Sequence, residues 1–250
     1  MSAAAPLTRA EIALEARAGV AADPRLIIPL DLPTRAEAEA MVEWLGDSVS
    51  FYKIGLQLLA TDGMALARDL KASGRRIFLD WKLHDIGATV EKAAAAIAGA
   101  GSCDFLTVHA EPQVLAAAVR GRGGATAVKI LGVTVLTSLS ETDLQAIGYA
   151  EGVRALVERR IRQALDAGAD GVIASPHEAA LARRIGGPDF LVVTPGVRPS
   201  WAGADDQARA ATPAEALTAG ASHLVCGRPV TAATDPRAAA QAIASEMSGL

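Results

Sequence analysis

Short apolar runs rich in β-branched residues recur along this chain, and stretches rich in Ala, Glu and Arg separate them. Such runs predict strands, and the stretches between them predict helices. The predicted strands are Leu26–Asp31, Ser50–Gly55, Arg76–Lys82, Phe105–His109, Lys129–Leu136, Gly171–Ala174, Phe190–Thr194 and His223–Cys226. Strands that alternate with helices form parallel sheets through right-handed crossovers.

This alternation predicts an α/β fold, a (β/α)8 TIM barrel, over residues 25–250. A doubly wound open sheet is the alternative, but no Gly-x-Gly-x-x-Gly turn follows the first strand, where a dinucleotide-binding sheet usually has one. Ahead of the barrel, Thr8 and Glu11 have the spacing of a capping box, which predicts a helix over residues 8–21. We therefore expect a single barrel domain with an N-terminal helical extension at residues 1–24.

Composition and charge narrow the class of protein. The net charge of −4 and the lack of a basic run argue against a nucleic-acid partner. Cys103 and Cys226 each lie in an apolar context, which is typical of reduced, buried thiols in a cytoplasmic protein. No signal peptide pattern and no apolar run of membrane-spanning length occurs. We expect a soluble cytoplasmic protein without a membrane partner.

Polar residues follow the predicted strands at their C-terminal ends, which line the active site of a barrel. They are Asp31, Lys53, Asp80, Lys82, His109, Thr137, Ser138, Ser175, Thr194 to Arg198, Gly227 and Arg228. Charges placed at random would be scattered over both ends of the strands. The set therefore predicts a functional site at this end. His109 could orient a neighbouring carboxylate there, but a structural role is favoured for this residue.

The third predicted strand carries the densest group of charges. Residues two apart on a strand face the same side, so Asp80 and Lys82 should project together while Leu79 and Trp81 face away. Asp85 follows where the strand gives way to a loop. The group could be a surface ion pair. Three charges at the end of an apolar segment otherwise indicate mutual compensation or catalysis.

Lys53 lies within an apolar strand, where a lysine alone would be interpreted as a side chain that extends to solvent. Beside Asp80 and Lys82 it would supply a second cation that holds a carboxylate ionised. An alternating series of lysine and aspartate would result. Because Asp31, Asp80 and Asp85 then have candidate lysine partners, and no Cys/His group has zinc-ligand spacing, we predict no metal site.

Glycine and arginine follow the last two predicted strands, in Pro195-Gly196-Val197-Arg198 and in Gly227-Arg228. Barrels often bind phosphate here, since glycine lets backbone N–H groups approach an anion and arginine adds charge-assisted hydrogen bonds. The alternative is that the glycines only form turns and the arginines are solvated. The polar segment from Pro199 to Thr212 is long for a connecting loop and is a candidate lid.

The stretch Asp80-Trp81-Lys82-Leu83-His84-Asp85-Ile86, with Thr89 three residues further on, resembles the central signature of the orotidine 5′-phosphate decarboxylase family. The resemblance extends from about Arg25 to Ser245. It includes Asp31, Lys53, Thr137, Pro195 to Arg198, Asp206-Gln207, Thr212-Pro213 and Gly227-Arg228. Trp81, Leu83, Gly87 and Ala88 depart from the residues common in that family, and none of these departures removes a charged member of the site.

The resemblance implies decarboxylation of orotidine 5′-monophosphate to uridine 5′-monophosphate in pyrimidine nucleotide biosynthesis, without a metal or organic cofactor. It implies that Lys82 donates a proton to C6, that Asp80 lies near the substrate carboxylate, and that Lys53 keeps Asp80 ionised. The implied substrate contacts are Asp31 to the ribose, Thr137 to the pyrimidine, Pro195 in the same site, and Arg198, Gln207, Gly227 and Arg228 to the phosphate.

In that family Asp85, Ile86 and Thr89 reach into the neighbouring subunit, which implies a homodimer with shared active sites. Two rival functions are open. Metal-dependent 3-keto-gulonate 6-phosphate decarboxylases and hexulose-phosphate synthases share the Asp-x-Lys-x-x-Asp element, but they carry Glu where Lys53 stands. A non-catalytic barrel that binds a phosphorylated ligand is the second rival.

Overall fold

The structure is a computed structural model and describes residues 22–201 and 211–248. Its eight strands pair in parallel and close into a barrel in chain order. The strands are β1 Leu26–Pro29, β2 Phe51–Ile54, β3 Arg76–Leu83, β4 Phe105–His109, β5 Lys129–Val133, β6 Gly171–Ile173, β7 Leu191–Pro195 and β8 His223–Val225. The predicted (β/α)8 barrel is confirmed.

Helices follow the strands and surround the barrel. They are α1 Arg35–Leu45, α2 Leu56–Leu59, α3 Gly63–Ala72, α4 Gly87–Ala100, α5 Pro112–Arg122, α6 Glu141–Ala146, α7 Val153–Asp166, α8 Ala179–Gly186, α9 Pro213–Thr218, α10 Arg228–Thr231 and α11 Pro236–Ser248. Short 3₁₀ helices lie at Gly46–Ser48 and Pro176–Glu178. The helix expected at residues 8–21 lies outside the described residues and stays a prediction.

Two apolar layers hold the barrel together, because successive strand residues point inward and outward in turn. The inner layer is one cluster, made of Ile27, Phe51, Phe78, Phe105, Leu131, Val193 and Val225. Their chain neighbours, such as Ile28, Tyr52 and Leu79, belong to a larger cluster shared with the helices. The polar side chains that follow the strands are thereby gathered at one mouth of the barrel.

Two strands end two or three residues earlier than the sequence predicts. β1 stops at Pro29 and not at Asp31, although the N–H of Leu30 still donates to the carbonyl of Lys53 at 2.8 Å. β5 stops at Val133 and not at Leu136. Thr134 turns its hydroxyl to the carbonyl of Ile173, at 2.7 Å, while its N–H lies 3.4 Å from the same oxygen. Both early ends release residues into loops at the mouth of the barrel.

The prediction of two buried cysteines is confirmed. Cys103 and Cys226 are buried and unpaired, and burial raises the pKa of each thiol to about 12. Within the described residues, no helix has the length and apolar character needed to cross a membrane.

Phe105 tests the inner layer. Its ring centroid lies 5.0 Å from that of Phe51 and 5.9 Å from that of Phe78. We expect Phe105→Ala to lower the free energy of unfolding by about 3–5 kcal/mol, since the cavity cannot collapse between strands. Trp44→Ala, at a side chain that is 52% exposed, should change it by less than about 1 kcal/mol. Urea denaturation at one protein concentration compares them, and equal losses would refute this packing scheme.

Candidate active site

Four charged side chains form a continuous array at the C-terminal mouth of the barrel. Lys53 Nζ lies 3.0 Å from Asp31 Oδ1 and 3.5 Å from Asp80 Oδ2. Lys82 Nζ donates a hydrogen bond of 2.8 Å to Asp80 Oδ1. The order is therefore Asp31, Lys53, Asp80, Lys82. Each ammonium is adjacent to the carboxylate of Asp80 on β3, and Lys53 also contacts the carboxylate of Asp31 in the loop after β1.

Burial makes this array more than a surface ion pair. Lys53 is 8% exposed, and the Asp80 side chain is 14% exposed. Burial pushes the pKa of Asp80 upward, but the two ammonium groups of Lys53 and Lys82 and the hydroxyl of Thr107 outweigh it and hold this pKa below its usual value. Asp80 is an anion at neutral pH because its partners surround it.

The predicted contact between Asp80 and Lys82 is present, and Leu79 and Trp81 are buried on the other face. The backbone is less regular than simple alternation implies. Lys82 has a φ of 48°, and the register between β3 and β4 shifts between Leu79 and Leu83. The C-terminal end of β3, which carries Lys82, is thus a bulge, a feature that re-aims side chains and is over-represented next to active sites.

Gly55 leaves room for the array. A Cβ atom at this position would lie 2.7 Å from Asp31 Oδ1 and 3.1 Å from Lys53 Nζ. Such contacts would force the pair apart. The absence of a side chain at the end of β2 therefore lets Asp31 and Lys53 meet.

A cavity of about 210 Å³ opens beside the array. Its polar wall contains Lys53, Asp80 and Lys82 of the array together with Thr137 and Ser138, and Pro195 also lines it. All of the remaining wall residues are apolar: Phe78, Val133, Val135, Leu136, Ile173, Ala174 and Val225. Charges next to an apolar wall are poorly screened, so the array can act strongly on a bound ligand.

A second cavity, of about 270 Å³, adjoins the first through Val225, which lines both. Its wall contains Asp31, Gly196, Arg198, Gly227 and Arg228. The predicted glycine and arginine residues of β7 and β8 are therefore brought together. Arginine side chains and glycine backbone around one hollow are the chemistry of an anion site.

Three predicted site residues lie apart from these cavities. Asp85, Ile86 and Thr89 are exposed, and Ile86 is 71% exposed. Within the described residues no lysine pairs with Asp85, so the expectation of a lysine partner is wrong for this residue inside one chain. In the loop after β3, the Asp85 carboxylate instead accepts a hydrogen bond of 2.6 Å from the backbone N–H of Ile86. Gln207, and residues 202–210 of the candidate lid, lie outside the described residues.

Ser175 and His109 were also predicted at this mouth, and neither lines a cavity. Ser175 does not line either cavity, because its hydroxyl pairs with Glu178 at the start of the next helix. His109 packs its ring against His84 with centroids 4.8 Å apart, which favours a packing role.

No group of metal-ligating side chains occurs within residues 22–201 and 211–248.

Sequence reasoning missed Thr107, Gly55 and the apolar wall of the first cavity. Thr107 and the wall residues lie within or just after apolar strands, where β-branched residues are common for packing alone. Gly55 is part of the Lys53-Ile54-Gly55 segment, so a glycine two residues after a buried lysine was an available signal.

The chain is similar to known proteins over the whole barrel. The family model described as orotidine 5′-phosphate decarboxylase / HUMPS matches residues 24–243. The chain belongs to this family. The matched range spans every strand of the barrel and the residues that line both cavities.

Individual relatives of the chain bear the name of this family. An orotidine 5′-phosphate decarboxylase of Caulobacter sp. (strain K31) is 71% identical over 92% of this chain and 100% of its own length. One from Caulobacter vibrioides is 68% identical over 92% of this chain and 99% of its own. A crystal structure of orotidine 5′-phosphate decarboxylase from Lactobacillus acidophilus is 37% identical, with a TM-score of 0.79 over 90% of this chain and 100% of its own.

Replacing Lys53 tests the electrostatics of Asp80. We expect Lys53→Met to raise the pKa of Asp80, because burial is then opposed by Lys82 and Thr107 alone. A carboxylate with a lowered pKa stabilises the fold above its unfolded-state pKa, and this contribution disappears as pH falls through the folded-state value. The variant should therefore lose stability at a higher pH than the parent, and a carboxyl NMR titration reports Asp80 directly.

Lys71→Met is the matched control for this substitution. Lys71 Nζ lies 2.7 Å from Asp104 Oδ1. Asp104 immediately precedes β4, at the end of the barrel opposite the charged array. Its removal should leave the Asp80 titration unchanged. An unchanged Asp80 titration in Lys53→Met would contradict the account.

Proposed function

We propose that this chain decarboxylates orotidine 5′-monophosphate to uridine 5′-monophosphate and CO2, with Lys82 as the proton donor to C6. The observation that carries the proposal is the partly buried contact of Lys82 with Asp80, 2.8 Å, at a cavity that adjoins a second one lined by Arg198 and Arg228. Family membership and the names of the relatives support it. Such a reaction supplies a nucleotide in pyrimidine biosynthesis.

The difficulty of this reaction defines what the protein must supply. The bond between C6 and the carboxylate breaks, CO2 leaves, and the electron pair stays on C6, where no carbonyl delocalises it well. Fixed charge near C6 is then the available means of stabilisation. The Lys82 ammonium provides it, gives its proton to C6, and regains a proton from water.

Asp80 and Lys53 support this step. Asp80 holds the Lys82 ammonium in place, and near the substrate carboxylate its charge disfavours the bound anion more than the developing transition state. Lys53 contacts both Asp80 and Asp31. In this scheme Lys53 keeps Asp80 ionised, and Asp31 remains available to the ribose hydroxyls.

The two adjoining cavities suit the two ends of a nucleotide. We place the pyrimidine in the apolar cavity, next to Thr137 and Pro195. The phosphate then lies by Arg198, Gly227 and Arg228, with Gln207 as a further contact. Phosphate binding energy is delivered far from C6, so closure of the segment from Pro199 to Thr212 could express it in the chemical step.

We also propose a homodimer in which each subunit completes the other's site. Asp85, Ile86 and Thr89 are exposed and have no place in their own cavity. Ile86 is a large apolar side chain beside a carboxylate, and contact with a second copy would cover both. The division into residues 1–24 and 25–250, the cytoplasmic location and the lack of a nucleic-acid partner also remain proposals.

The metal-dependent branch of the family is the rival within the same fold. It is disfavoured here because Lys53 occupies the position of its characteristic Glu, and because relatives at 71% and 68% identity bear the name of the decarboxylase. We propose that the chain needs no cofactor.

Turnover of orotidine 5′-monophosphate by chelated protein tests this function. We expect the ultraviolet absorbance change to proceed unchanged after exhaustive treatment with EDTA. Lys82→Ala should lower kcat by about 10⁴-fold or more, since it removes both a charge and a proton donor. Loss of turnover in EDTA that magnesium restores would contradict the proposal, as would a Lys82→Ala variant at the parental rate.

Mixed dimers test the shared site. Asp85→Ala and Lys82→Ala subunits should each be inactive, yet an equal mixture should regain about a quarter of the activity, because half the dimers are mixed and each then has one intact site. A mixture of Lys53→Ala and Lys82→Ala subunits is the control and should stay inactive, since both lysines serve the same subunit's site. Mixed dimers without activity in the first pair would refute shared sites.

A further inference from the structure

Thr107 lies directly behind the reacting pair. It is in the middle of β4, is 0% exposed, and does not belong to the wall of either cavity. Its hydroxyl donates to Asp80 Oδ1 at 3.0 Å and accepts the backbone N–H of Lys82 at 3.0 Å. One buried hydroxyl thus contacts the carboxylate of one member of the pair and the backbone of the other.

The backbone at Lys82 needs such a partner. Lys82 is the one non-glycine residue with positive φ, 48°, among the residues described. This left-handed conformation is unfavourable for a residue with a Cβ, and it persists only where the surroundings enforce it.

The regular pairing of β3 with β4 is interrupted around Lys82. Leu79 pairs with Leu106 and Leu83 with Val108, so the segment around Lys82 has no regular ladder partner on β4. A buried N–H without a partner is unfavourable. The hydroxyl of Thr107, between Leu106 and Val108, takes the place of the missing carbonyl.

We propose that Thr107 is a positioning residue for decarboxylation: its hydroxyl holds the β3 bulge at Lys82 and the Asp80 carboxylate in one fixed arrangement. This inference rests on the proposed function of Asp80 and Lys82. A hydroxyl has one hydrogen and two lone pairs, so donation to Asp80 leaves a lone pair for the Lys82 N–H. The two bonds therefore fix each other's direction.

Thr107→Val tests this role, because valine keeps the shape and removes the hydroxyl. We expect kcat to fall roughly ten- to a hundred-fold, the scale of a lost hydrogen bond to a charged group, while KM changes little because the phosphate contacts are intact. Thr107→Ser retains the hydroxyl and should restore most of kcat. If Thr107→Val does not fold, Thr107→Ala carries the same comparison with Thr107→Ser.

A second readout does not depend on activity. The groups that face Asp80 are Lys53 from β2, Lys82 from its own strand and Thr107 from β4. Carboxyl NMR should show Asp80 titrating at higher pH in Thr107→Val and near the parental pH in Thr107→Ser. Thr134→Val is the matched control. Thr134 is buried immediately after β5, and its hydroxyl donates to the carbonyl oxygen of Ile173 at 2.7 Å. Loss of this hydroxyl should leave the Asp80 titration unchanged.

The outcomes separate the two proposals. A parent protein without turnover would overturn the proposed function, and the NMR comparison would still decide whether Thr107 holds Asp80. An active parent with Thr107→Val at full kcat and an unchanged Asp80 titration would overturn the positioning role alone. A fall in kcat that serine does not restore would assign Thr107 to packing and would also overturn it.

Discussion

The buried carboxylate of Asp80 has to remain charged, and the rest of the site is arranged around that requirement. A lone anion at this depth would take up a proton. Lys53 and Lys82 lie on either side of it, and Thr107 donates from behind. The same contacts that keep Asp80 ionised hold the Lys82 ammonium at the cavity wall, so charge compensation and the geometry of the charged array have one structural origin.

The barrel supplies what this array needs. Parallel strands deliver side chains to one mouth, and the apolar inner layer beneath them excludes water from below. β2 and β3 bring Lys53 and Asp80 together, while the loops after β7 and β8 line the second cavity. A nucleotide that spans both cavities would have its phosphate held at a distance from the bond that breaks, which is the arrangement that lets binding energy serve catalysis.

Much of this was predictable from residue patterns. Alternating apolar runs predicted the barrel, and polar residues after the strands predicted the mouth, with Lys53, Asp80 and Lys82 in contact as expected. The positive φ of Lys82 was not predictable, since no glycine marks it and the bulge depends on pairing with β4. Asp85 was assigned a lysine because sequence proximity does not reveal which way a loop turns.

The position of a bound nucleotide tests the account most directly. A crystal structure of the protein with uridine 5′-monophosphate should place the phosphate by Gly227 and Arg228 and the pyrimidine in the apolar cavity. C6 should then lie within about 3–3.5 Å of Lys82 Nζ, the separation that proton transfer requires. A nucleotide bound with C6 away from Lys82 and Asp80, or with the base outside that cavity, would contradict the central claim.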